Sequence, residues 1–150
     1  MSVPYEGATS GVTARNEISK ILRRFGCTSI GFMDNFENHE LILAFTHRGR
    51  SIQLVASAKG WAAVYLKEHP FTKFHRTGSK TDHEQKALRQ GHIAVNSILR
   101  DWIKGQVTAV ECGILDFEAV FMPYMLTNDG RPLVRRLIET GLIQQLEEKV

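Results

Sequence analysis

The sequence predicts an α+β fold, an antiparallel sheet of about three strands packed against several helices, with one long or bent central helical region. Three observations carry this. Alternating apolar residues flank Arg48-Gly49 in the manner of a β-hairpin. Apolar residues from Leu88 to Ile103 recur at three- and four-residue steps, the period of a helix with one buried face. A length of 150 residues with 43% hydrophobic content suits one core, not two. Residues 1–12 read as a flexible N-terminal tail, small and polar around Pro4 and Tyr5, and 13–150 as a single domain.

The first element is a helix from Ala14 to Phe25. Thr13 is its N-cap, Ile18, Ile21, Leu22 and Phe25 form its stripe, and Gly26 stands where a left-handed C-cap is wanted. Arg23 and Arg24 in the last turn favour the helix dipole. A short strand, Thr28 to Met33, precedes the turn-rich Asp34 to His39. The hairpin strands Glu40 to His47 and Arg50 to Ser57 then turn Leu41, Leu43 and Phe45, with Ile52 and Leu54, to one face. After the Gly60 break, Trp61, Val64, Tyr65 and Leu66 suggest a brief helix that ends at His69-Pro70, since the residue before proline is biased away from helical geometry.

A polar loop, Thr72 to Lys80, leads to the main helix. Thr81 with Glu84 matches a capping box, and the stripe runs through Leu88, Val95, Ile98, Leu99, Trp102 and Ile103. At Gly105-Gln106 the pattern allows one bent helix of about 40 residues or two helices, the second capped by Thr108 with Glu111. A break or sharp bend is the reading taken, because a continuous helix of about 60 Å is too long for a compact monomer. Either case implies a homo-oligomer. The turn Asn128-Asp129-Gly130 and Pro132 open a last helix, weakly interrupted at Gly141, with Leu142, Ile143 and Leu146 continuing its stripe.

Several function classes are excluded or disfavoured. Neither a Walker loop nor a Rossmann glycine fingerprint occurs, which argues against an NTPase or dehydrogenase. His39, His47, His69 and His75 fall on different elements without zinc-ligand spacing, so no metal and no cofactor is expected. Cys27 and Cys112 read as two small, buried, reduced residues. A two-histidine phosphodiesterase is the nearest enzyme class, but only His75-Arg76-Thr77 fits one of the two motifs it needs, so the chain reads as non-enzymatic. Trp61 and Trp102 sit within apolar series as core anchors, and Asp101, Glu111, Asp116 and Glu118 as solvated charges. No apolar run is long enough to span a bilayer and Met1 to Gly11 lacks the regions of a signal peptide, which sets the expectation of a cytoplasmic chain with no membrane partner.

What remains is charge. The formal net charge is +3, and the stretch Lys67 to His92 carries six lysines and arginines against three acidic residues, with four of the six histidines. Phe71 and Phe74 lie within it. Cations, flat rings and helix-terminal amides so arranged suit an anionic partner. The candidate ligand-binding residues are Arg48, Arg50, Lys73, Phe74, His75, Arg76 and Arg89, with Phe74 as the stacking ring. The partner expected is nucleic acid, above all single-stranded. The alternatives are a phosphorylated nucleotide ligand held at a subunit interface and a partner protein held by the long helices.

The run Lys86-Ala87-Leu88-Arg89-Gln90 followed by Ile98-Leu99-Arg100-Asp101-Trp102-Ile103-Lys104-Gly105-Gln106-Val107 resembles small cytosolic proteins encoded by tailed bacteriophages. That resemblance implies an accessory protein in the host cytoplasm, acting on nucleic acid or against host defence. It carries no catalytic motif with it.

Overall fold

The computed structural model describes residues 2–72 and 78–144. In chain order it holds α1 (Gly11–Phe25), β1 (Ser29–Asn35), β2 (Glu40–His47), β3 (Arg50–Ser57), α2 (Ala58–Glu68), α3 (Lys80–Glu111), α4 (Phe117–Phe121), a 3-10 turn over Met122–Tyr124, and α5 (Leu133–Thr140). The strands pair antiparallel in the order β1-β2-β3, so the fold is α+β as expected.

Local chemistry sets the boundaries. Helix α1 starts one turn earlier than Thr13, because extended Ser10 accepts the Thr13 N–H at 3.1 Å, and it ends at Gly26 with φ of 101°. Strand β1 continues through Asp34 and Asn35, which pair with Leu41 and Glu40. The tighter turn left over is closed by Asn35 Oδ1, which accepts the N–H groups of Glu37 and Asn38, both at 3.0 Å. The β2–β3 turn has positive φ at both Arg48 (51°) and Gly49 (76°), the pairing whose twist suits a two-residue hairpin. Its register sets Phe45 opposite Ile52 and Leu43 opposite Leu54, all buried.

Helix α2 begins directly after β3, not beyond Gly60. Ser57 Oγ accepts the Gly60 N–H at 2.9 Å, and the His39 carbonyl accepts the Ala58 N–H at 2.9 Å. The capping box of α3 is Ser79 with Asp82, two residues before the Thr81 and Glu84 expected; each side chain accepts the other's backbone N–H, at 3.1 and 3.2 Å.

The break expected at Gly105 is absent. Helix α3 runs unbroken for 32 residues, about 48 Å at ~1.5 Å per residue. Ile103 and Val107 lie on either side of Gly105 and are both fully buried in one apolar cluster. Burying two such side chains stabilises by roughly 1.5–3 kcal/mol each, more than the ~1 kcal/mol a mid-helix glycine costs. The turn away from the helix comes at Gly113, φ 69°.

Helix α3 is a spine with two apolar clusters along it. Near its N-terminal half, Ala94 and Val95 meet Leu41, Ala58, Trp61 and Val3. Further on, Ile103 and Val107 meet α1, the sheet's inner face, and Phe117 and Phe121. Gly91 lets α2 approach, since a Cβ there would stand 2.6 Å from the Ala58 carbonyl oxygen. Trp102 packs edge-on against Phe121 and Tyr124, as an anchor should.

Two expectations are corrected. The N-terminal segment is docked, not loose: Val3 is 6% exposed, Trp61 Nε1 donates to the Pro4 carbonyl, and Gln90 Nε2 donates to those of Glu6 and Ala8. Backbone carbonyls matched to buried donors hold it, a signal that composition does not carry. Cys112 is exposed just past the end of α3, whereas Cys27 is half-buried and burial pushes its thiol up to about 11. Among the described residues no helix is long and apolar enough to cross a membrane.

Candidate nucleic-acid interface

The structure separates the expected cations. Arg48 projects from the hairpin tip, exposed. Arg50, at the start of β3, stands 3.6 Å from the Glu118 carboxylate, with both side chains about half exposed, so the pair contributes only ~0–1 kcal/mol and partly neutralises Arg50. Arg89 lies on the outward side of α3, near its other end. Val107 shares a cluster with Phe45 and Ile52 beside the hairpin tip, and it lies 18 residues beyond Arg89, about 27 Å along the axis. A straight α3 therefore sets Arg48 and Arg50 apart from Arg89, and the single patch expected of them does not form. Lys73, Phe74, His75 and Arg76 lie outside the described residues.

Around Arg89 a smaller arrangement does form. A cleft of about 390 Å³ opens where the end of α2 meets the start of α3, lined by Tyr65, His69, Asp82, His83, Lys86 and Arg89. Lys86 and Arg89, three residues apart, share one side of α3. Across the cleft stand Tyr65 and His69, and their rings continue a ladder from the buried Trp61 at four-residue steps, with centroids 5.5 and 4.7 Å apart. His83 Nε2 donates to the His69 backbone carbonyl at 2.6 Å, which ties the end of α2 to the first turn of α3. His69 Nε2 stands 3.4 Å from the Glu6 carboxylate, and that carboxyl is held below its ordinary range chiefly by the Val3 N–H and also by His69.

The charge balance of the cleft favours an anion. Asp82 spends one oxygen on the Ser79 N–H. Among the described residues neither Lys86 nor Arg89 has an ion-pair partner, whereas Arg15, Arg24 and Arg50 each have one and Arg100 and Arg131 two. Two unspent cations beside a face of rings can bind a phosphate and a base together.

A second polar cluster was not foreseen in the sequence. His39 Nδ1 and His92 Nε2 are 3.3 Å apart and the ring centroids 5.6 Å, so the two nitrogens point at each other along a hydrogen bond. His92 Nδ1 is buried without a partner among the described residues. The economical tautomer puts the proton on His92 Nε2, donating to His39, and leaves a lone pair on Nδ1, since an orphaned buried N–H costs more than an orphaned lone pair. Burial, then the neighbouring His39, holds His92 below the ordinary histidine range. Beneath the pair, Asn96 donates from Nδ2 to the His92 carbonyl and accepts from Arg15 Nε, while Arg15 also pairs with Asp34. Nothing in the spacing of these residues along the chain announces the strip; only the packing of α1, β1 and α3 assembles it. Among the described residues no group of three or more His, Cys, Asp or Glu is placed to hold a metal ion.

Comparison of the chain with models of protein families, with curated proteins and with solved structures finds no match.

Proposed function

We propose that the chain binds single-stranded nucleic acid, without catalysis, at the cleft between α2 and α3. The observation that carries this is the pair of unneutralised cations, Lys86 and Arg89, facing the rings of Tyr65 and His69. In this reading the cations take backbone phosphate and the ring face takes a base, so affinity tracks salt and is tolerant of sequence. Anisotropy of a labelled single-stranded oligonucleotide, titrated at several salt concentrations, tests it. Binding should weaken with salt at about 0.7 in log–log slope per phosphate contact, and Lys86→Ala or Arg89→Ala should each lower that slope by about 0.7. An oligonucleotide that does not bind, or binds with equal strength to both variants, removes the proposal.

The cleft's size favours one second reading. At about 390 Å³ it suits a single nucleotide unit, so a free phosphorylated nucleotide is the alternative ligand, sequestered in the phage-accessory role that the resemblance implies. Calorimetry with mononucleotides separates the two, since stoichiometric binding of a mononucleotide stronger than that of the oligonucleotide supports this reading over the first.

A further inference from the structure

Among the described residues the helices cover one face of the sheet and leave the other open. On the open face β1, β2 and β3 align in rows, and one row, Met33, Ile42 and Val55, is wholly apolar. Met33 is 58% exposed and Val55 51%, in a face where an antiparallel sheet ordinarily shows polar side chains to water. The next row, Gly31, Ala44 and Gln53, is small or uncharged, and a Cβ placed on Gly31 meets nothing within 4 Å. Beyond it lie only hydroxyls, with Ser29 Oγ donating to Thr46 Oγ1. Glu40, at the far end, is the single ionisable residue the three strands turn to this side, in a chain 23% charged.

We propose that this face is covered by a second copy of the chain. A face with almost no charge does not repel its own image, and depletion of charge is what distinguishes the core of an interface from ordinary surface. The rows are also self-complementary. A two-fold axis lying between the sheets, across the strands and midway between the apolar and small rows, sets β2 on β2 with the rows exchanged. Met33 then fills the space above the partner subunit's Gly31, Ile42 lies on the partner subunit's Ala44, and Val55 on the stem of the partner subunit's Gln53. Such stacking at ~10 Å separation is the ordinary aligned sheet sandwich. Three strands about eight residues long offer roughly 400 Å² of flat footprint, short of the ~800 Å² per partner of a standard interface. The dimer is accordingly concentration-dependent, not obligate.

Sedimentation velocity over a micromolar concentration series tests this with three chains. The wild type should shift from monomer to dimer as concentration rises. Gly31→Phe, which fills the space that Met33 needs, and Met33→Lys, which charges the apolar row, should both remain monomeric, with circular dichroism and melting temperature confirming that each is folded. Gly31 is an open strand position, so its substitution is not expected to unfold the chain. A wild type that stays monomeric throughout overturns the proposal. So does a dimer that survives both substitutions, which would place the contact on another surface. A monomeric wild type whose oligonucleotide binding is lost in Met33→Lys would assign the face to nucleic acid instead and equally overturn it.

Discussion

His47 is 3% exposed, its ring stacked on Phe25 at 4.4 Å and against Phe117 at 4.6 Å. Nε2 donates to the Phe25 carbonyl at 3.2 Å, while Nδ1 is buried with no partner among the described residues. The neutral ring fits this place, with its lone pair on Nδ1. Protonation would add a buried N–H with no acceptor, at a cost of about 1–3 kcal/mol, beside the Arg48 guanidinium. Burial is the main cause, partly offset by the Phe25 carbonyl and reinforced by Arg48, and the ring is held below its ordinary 6.5. The sign follows. The unfolded chain binds this proton more readily than the folded one, so stability is complete above about pH 6.5 and falls with acidification, at up to ~1.4 kcal/mol per pH unit until the full cost is reached. His47→Phe cannot charge and keeps the ring stack, but it forfeits the hydrogen bond to Phe25, about 1 kcal/mol at neutral pH. Urea denaturation of both chains from pH 8 to about pH 5 should show the wild type ahead at neutral pH and the gap closing or reversing on acidification, a swing of ~1–2 kcal/mol over the roughly 1.5 units below pH 6.5. Curves that run parallel across this window refute the reasoning.

Alanine at two glycines of α3 should act in opposite directions. Gly91→Ala drives a Cβ against the Ala58 carbonyl and should cost about 1–3 kcal/mol, whereas Gly105→Ala meets no neighbour and should gain up to ~1 kcal/mol from helix propensity; thermal denaturation reads both. His92→Phe removes the hydrogen bond to His39 and should flatten the acid limb in the same sense as His47→Phe but by less, because these rings are only partly buried. Asn96→Ala, at a position 3% exposed, should destabilise by ~1–3 kcal/mol in chemical denaturation, because Arg15 Nε loses its acceptor and the His92 carbonyl keeps only its helical N–H donor.

Local patterns were legible in the sequence and distant agreements were not. The hairpin emerged with its strand limits intact because Arg48-Gly49 is a two-residue turn whose chemistry is written in adjacent positions. The caps of α1 and α3 were misplaced by three and two residues because several Ser and Thr residues compete, and the winner depends on which one the chain holds extended. Gly105 misled because propensity is a local cost while the burial of Ile103 and Val107 is settled by what packs across them. The site fared worse for the same reason. Clustering of Arg48 and Arg50 with Arg89 depended on the course of α3, and its straightness sends them to opposite ends. Tyr65 and His69 fell outside the expected site because ring spacing along α2 reads equally well as core.

Helix α5 shows no buried residue, and its eight residues fall below the ~12–15 at which an isolated helix becomes more than marginal. It is tethered by the Leu133 N–H to the Met125 carbonyl and by Arg131 bridging Asp129 and Glu139, contacts open to water. The chain is thus two-tiered in its durability. Amide hydrogens of α5 should exchange with solvent through brief local openings, long before those around Ile103 or Leu43, and a protease offered the native protein should clip this helix away while the spine and sheet stay closed.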